Sequence, residues 1–204
     1  MTNMSHKILL LATLLLSACA TSIESQSNTL QNSTSCCTST RDMKFKRISA
    51  AEKIKFDQSS PVFDFENGRS YFAAFEIPDD SSRHFRIKSF FNGMLIGQYF
   101  DPIILVMNEN YEPITIGSLE LKFFEAAPSW DGIAHMLGEF SVDRSAKYVV
   151  VLTSKFDTMA PVAVTKPTGY GYMLGSTPVF GTAPSRSIQL KRSPTGSVLI
   201  EAIP

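Results

Sequence analysis

Ile103-Ile104-Leu105-Val106-Met107 and Tyr148-Val149-Val150-Val151-Leu152 are uninterrupted apolar runs rich in β-branched residues. Such side chains pack well on a pleated surface, and a run without polar alternation suits a strand covered on both faces. Both are therefore expected at the centre of the core. Working outward, Ser70-Tyr71-Phe72-Ala73-Ala74-Phe75-Glu76-Ile77 places Tyr71, Ala73, Phe75 and Ile77 on one face and stops at Pro78-Asp79-Asp80-Ser81, a strand followed by a turn. Phe85 and Ile87 alternate with Arg86 and Lys88, and Asn92-Gly93 then offers a tight turn toward Met94-Leu95-Ile96. Further strands are expected over Leu119-Glu120-Leu121-Lys122-Phe123-Phe124 and over Ser197 to Ile203, the last a closing strand. Short helical turns are expected around Ala50 to Lys53 or Lys155 to Met159. Short strands separated by turn chemistry imply an all-β domain, an antiparallel β-sandwich or jelly roll, over residues 41–204.

Composition bounds the rest. The chain has 204 residues, 44% of them hydrophobic, enough for one compact domain. Its 19 Lys+Arg balance 19 Asp+Glu, so there is no excess basic charge to displace counterions from a phosphate backbone, and nucleic acid is not an expected partner.

The first residues read as an address. A short polar start carrying Lys7 precedes the apolar run Ile8 to Leu16, and Ser17-Ala18-Cys19 closes it, the plan of a secretory signal over residues 1–18. The run is about half of the roughly 20 residues that cross a bilayer as a helix. Leu16-Ser17-Ala18-Cys19 resembles a bacterial lipobox, which implies lipid on Cys19 and cleavage before it. Acyl chains on Cys19 would anchor the protein to a membrane. Ala20 follows the cysteine where Asp is the familiar inner-membrane retention signal, so the resemblance points to the outer membrane, with the domain facing the periplasm.

Residues 19–40 are dominated by Ser, Thr, Asn and Gln and are expected to form a flexible tether, because so few large apolar groups cannot offset the entropy of ordering. Within it, adjacent Cys36 and Cys37 admit three readings: a vicinal or intermolecular disulfide, free thiols, or metal or further lipid.

Motifs for catalysis are sparse. His84 and His135 stand far apart with no His-rich spacing, no metal or cofactor is expected, and Gly-x-Ser-x-Gly is absent. Gly169-Tyr170-Gly171-Tyr172-Met173-Leu174-Gly175 has its third glycine misplaced for a dinucleotide fingerprint and reads as a flexible loop. Asp64 and Glu66, or Asp79 and Asp80, could be paired carboxylates, but turns and edges collect such residues anyway. The sole tryptophan, Trp130, sits beside Asp131 in a loop, and Tyr170 and Tyr172 lie in the glycine-rich stretch. An aromatic platform flanked by polar groups suits the apolar face and hydroxyls of a pyranose, while a single loop tryptophan also suits a plug over one end of a sandwich.

The ordered set Phe56-Asp57-Gln58-Ser59-Ser60-Pro61-Val62-Phe63, Gly68 to Pro78, Phe100-Asp101-Pro102 through Tyr111-Glu112-Pro113, and Lys147 to Ser154 resembles the MalM family of maltose operon periplasmic proteins. The Cys36-Cys37 pair is similar to its lipoprotein members. The resemblance spans about residues 36–204. It implies periplasmic residence and association with maltose and maltodextrin transport, with maltodextrin-like carbohydrate or a transport-system protein as partner, and no enzyme activity. The chain departs from the enteric members in its lipobox and in lacking a long C-terminal extension. The expected function is thus a non-catalytic carbohydrate-transport lipoprotein. The alternative is a structural or protein-interaction envelope lipoprotein with no ligand of its own.

Overall fold

The computed structural model describes residues 22–92, 97–124, 133–153, 162–174 and 177–204, with only the main chain described over 162–174 and 178–188. One helix, α1 (Ile23–Asn32), and a 3₁₀ turn (Thr40–Asp42) precede the strands. These are β1 (Lys46–Arg47), β2 (Ala51–Phe56), β3 (Val62–Phe65), β4 (Gly68–Glu76), β5 (His84–Asn92), β6 (Gln98–Phe100) and β7 (Pro102–Met107). They continue as β8 (Pro113–Ser118), β9 (Lys122–Phe124), β10 (His135–Ser141), β11 (Tyr148–Thr153), β12 (Val162–Leu174), β13 (Thr177–Ser193) and β14 (Gly196–Ile203).

Among the described residues the strands make two sheets. The first runs β1-β4-β11-β7-β8 with β3 also on β4; the second runs β12-β13-β6-β5-β10-β9, with β14 on β5 and β2 on β14. Only β1–β4 and β13–β6 are parallel. The chain is an all-β sandwich, as its alternating and continuous apolar runs foretell.

The two decisive runs become neighbours, Val150 opposite Leu105 and Val151 opposite Ile104. Because successive side chains of a strand point to opposite faces, each run feeds two cores. Val149, Val151, Ile104 and Val106 pack with Tyr71, Phe75, Phe85, Ile87, Val198 and Ile200 between the sheets. Val150, Leu152, Ile103, Leu105 and Met107 pack with Phe72 and Ala74 on the far face of the first sheet, beneath Met43 and Phe65, with Cys37, Phe45 and Phe63 at its margin. Strand β4, expected to bury one face, buries both.

The core between the sheets also underlies the first correction. Residues 22–40 are not a flexible tether. Ser22 caps α1, its side chain accepting from Ser25 N at 3.1 Å. Leu30 is fully buried in the core between the sheets. Arg69 forks between Asp64 (2.8 and 2.9 Å) and the last turn of α1, donating to the carbonyls of Gln31 at 2.7 Å and Ser33 at 3.1 Å. A guanidinium on the orphan carbonyls of a helix end is a favourable cap. The Cys36 N–H then joins the Val62 carbonyl at 2.8 Å. Ser, Asn and Thr are weak helix formers, so α1 stands on tertiary contact, which composition does not record.

Three smaller expectations also change. Residues 51–53, read as a helical turn, lie in β2, because β14 supplies a partner strand from Gly196↔Phe56 to Glu201↔Ala51. Gly169 to Leu174, read as a loop, lies in β12, whose register with β13 shifts between Lys166 and Thr168. The strand expected from Leu119 begins only at Lys122, and β8 before it was not expected. The turn at Gly93 to Ile96 and the helical turn at Lys155 to Met159 lie outside the described residues.

Candidate functional site

Where α1 crosses the end of the sandwich it roofs a cavity of about 470 Å³. The helix contributes Ser25, Gln26 and Thr29 to its wall, the end of β2 and the following turn contribute Lys55 to Ser59, and Tyr71, Asn92 and Thr195 to Ser197 complete it. Phe56 stacks on Phe100 with centroids 4.0 Å apart and planes 5° from parallel. A Cβ at Gly196 would lie 2.8 Å from the Cβ of Phe100, so this close approach requires glycine.

The roof is fastened by hydrogen bonds. Gln26 Oε1 accepts from Ser193 Oγ at 2.6 Å and Thr195 Oγ1 at 3.0 Å, while Asn92 Nδ2 donates to the Thr195 carbonyl at 2.8 Å. Opposite, Asp57 accepts from Ser59 N at 2.8 Å and Ser59 Oγ at 2.6 Å, and meets Lys55 Nζ at 2.9 Å. Those Ser59 and Lys55 contacts hold its carboxyl down at about 2. A depressed folded value stabilises the fold fully above the ordinary value of 3.8 and loses that contribution as pH falls through about 2. Acid unfolding curves of wild type and Asp57→Asn should therefore be separated at pH 5 and converge by about pH 2, read by circular dichroism.

One wall group stands apart. Tyr71 is fully buried, and its hydroxyl has no hydrogen-bond partner among the described residues. An unsatisfied buried hydroxyl costs about 1–3 kcal/mol. The cavity wall holds neutral amides and hydroxyls, Gln26, Thr29, Asn92 and Thr195, beside the Lys55–Asp57 ion pair, with Phe56 and Tyr71 buried behind them. The cavity can thus offer several uncharged donors and acceptors together, as suits a polyhydroxylated ligand.

The residues singled out in the sequence do not converge there. Cys19, Trp130 and Asp131 lie outside the described residues. Tyr170 and Tyr172 lie on β12, opposite Gly181 and Val179. Cys36 and Cys37 are disulfide-bonded to each other. His84 Nδ1 meets Ser141 Oγ at 2.8 Å, and buried His135 meets the Ile133 carbonyl at 2.8 Å and stacks on Phe124. Asp64 is engaged by Arg69, and Asp79 by Lys147 at 3.3 Å.

Sequence reading missed Gln26, Phe56, Tyr71, Asn92 and Thr195. A signal for the roof exists: Ile23 and Leu30 are seven residues apart behind a serine cap, the spacing of one helix face. Nothing comparable marks Asn92 or Thr195, which meet only through tertiary structure. No family model, curated protein or solved structure matches this chain.

Proposed function

We propose that the chain is a non-catalytic outer-membrane lipoprotein, anchored through Cys19 and facing the periplasm, that serves carbohydrate transport by binding a maltodextrin-like glycan. The observation that carries the binding role is the cavity beneath α1, with its largely uncharged polar wall and the hydroxyl of buried Tyr71, which has no partner among the described residues. A sugar hydroxyl bonded to Tyr71 would recover the cost of that orphan group. The lipobox-like Leu16-Ser17-Ala18-Cys19 and the resemblance to the MalM family supply the address and the class of sugar.

The test is calorimetric titration of the full chain in detergent with maltose, maltotriose and longer maltodextrins. Binding should weaken about tenfold in Tyr71→Phe, the loss of roughly one hydrogen bond. The same substitution should raise the stability of the unliganded protein by about 1 kcal/mol, because it removes an unsatisfied buried hydroxyl. Trp130→Ala, run alongside, separates the cavity from a loop platform: loss of binding in that variant alone places the sugar at Trp130. Silence across the maltodextrins sinks the carbohydrate reading.

A second reading, a protein-interaction lipoprotein without its own ligand, is favoured by one feature. Strand β8 is exposed throughout, ends the first sheet, and shows Ile114 and Ile116 to solvent, with Phe124 and Ile133 also exposed. An uncharged edge strand with exposed isoleucines is a template for pairing with another chain. Cross-linking of the anchored protein in its native envelope, trapping a partner through β8 while maltodextrins fail to bind, would select this reading.

A further inference from the structure

We propose that the α1 end of the sandwich is seated directly on phospholipid headgroups, in the membrane that holds the acyl chains of Cys19. The inference rests on the lipid anchor proposed at Cys19, and adds the orientation of the domain and the surface that meets the bilayer.

The length of free chain carries it. A tether over residues 19–40 would reach roughly 70 Å when extended, far enough to leave the domain clear of the membrane. The structure removes that reach, because the chain is fixed from Ser22 onward. Ser22 caps α1, Gln26 holds Ser193 and Thr195, Leu30 is sunk in the core, and Arg69 grips the last turn. Only three peptide units separate Cys19 from Ser22, and whatever path they take they span no more than about 11 Å. With its acyl chains below it, Cys19 stands at the edge of the hydrocarbon, and each headgroup layer is about 5–7 Å thick. Ser22 therefore clears the headgroups by about 5 Å at most, the radius of a helix with its side chains. Covalent geometry imposes the contact.

The surface delivered to the bilayer suits it. Ile23, Gln26, Leu30 and Ser33 share the helix face that turns toward the domain, while Glu24, Ser25, Asn28 and Asn32 are exposed. With Gln58 these exposed residues line an open groove of about 710 Å³, in which Glu24 is the only charged side chain. Amides and hydroxyls can donate to phosphate oxygens, and Glu24 can accept from an ammonium. The partner that fits is thus a zwitterionic phosphoethanolamine headgroup. Ser25, Thr29 and Gln58 line both this groove and the cavity beneath α1, which places the cavity at the membrane-facing end. The turn at 78–81 lies at the other end, since β5 runs from Asn92 in the cavity wall to His84 about 27 Å away.

The test uses the lipidated full chain on the outer surface of vesicles of phosphatidylethanolamine and phosphatidylcholine. One fluorophore is attached in each of Asn28→Cys, Asn32→Cys and Asp80→Cys, with aqueous iodide as quencher. Cys36 and Cys37 are bonded to each other and take no label. Quenching at positions 28 and 32 should be about threefold weaker than at position 80, where the native side chain is 88% exposed. A Gly/Ser insertion of about twelve residues between Thr21 and Ser22 adds roughly 20 Å of reach and should bring all three positions to the same quenching. Equal quenching at all three positions without the insertion, or protection that the insertion leaves in place, would overturn the seating. Mass spectrometry of the N-terminal peptide reads the anchor separately. Cys19 without acyl chains removes the premise and the proposal with it, whereas acylated Cys19 beside an accessible position 28 sinks the seating alone. Two groove positions are used so that a misfolded variant at one leaves the other to decide.

Discussion

Replacing Leu30 with alanine should lower the unfolding free energy by about 3 kcal/mol, the usual cost of emptying a fully buried leucine site. The reason lies in where α1 puts that side chain. Leu30 is 0% exposed and belongs to the same core as Tyr71, Phe75, Val149 and Ile200, although it comes from a stretch whose composition reads as linker. Its helix is made of weak helix formers, so the contact that holds it is the one the substitution removes. Urea unfolding followed by circular dichroism measures the change. A shift below about 0.5 kcal/mol, the level of an ordinary surface substitution, would mean that residues 22–40 are a tether after all. The neighbouring Gln31→Ala, at an exposed position whose Arg69 contact is through the carbonyl, should leave stability within that same margin.

The Arg192→Met substitution should cost about 3 kcal/mol, because it removes a charged partner from a buried carboxylate. Arg192 Nε meets Asp101 Oδ2 at 2.6 Å, with the two side chains only 20% and 9% exposed. The pair joins the end of β13, which runs parallel to β6 with Arg192 opposite Tyr99, to the residue between β6 and β7. Burial, and then the negative charge of Asp101, push the Tyr99 hydroxyl up to about 12, as expected for a phenol enclosed beside a carboxylate. The double variant Arg192→Met, Asp101→Leu should recover most of the loss, since a well-packed apolar pair avoids desolvating two charges. A double-mutant cycle in urea separates the two contributions, and a single-variant cost near 0.5 kcal/mol would show that the pair is solvated in practice.

How far the fold could be read from residues follows from which signals are local. Residues 103–107 and 148–152 carry their environment in their composition, and both became central strands buried on both faces. Strand β14 was legible as a closing strand from its position and pattern, and it bridges β2 and β5. By contrast, β8 and its exposed isoleucines gave no local warning, and residues 162–174 and 177–193 form two long paired strands where a glycine-rich loop was expected at residues 169–175. Pro167, Gly169, Gly171 and Gly181 look like breakers in isolation, yet pairing along β12 and β13 overrides them. The candidate site was less legible still. Aromatic residues in apparent loops drew the eye to Trp130 and Tyr170, while the cavity is made by Gln26, Phe56, Tyr71 and Thr195, residues whose meeting depends on where α1 docks.

The sequence alone determined the class of fold, because the alternation and the continuous apolar runs that dictate strands are properties of neighbouring residues. It also carried, within twenty residues, the pattern on which a lipid anchor at Cys19 is proposed. Tertiary structure alone decided that a polar segment becomes a capped helix and a cover for the first sheet. Arg69 reaches the α1 carbonyls across 36 and 38 positions of chain and Gln26 meets its partners across 167 and 169, and no local window contains such pairs. It alone also left Tyr71 Oη without a partner among the described residues, since hydrogen-bond satisfaction is a property of the assembled fold and not of any stretch of chain.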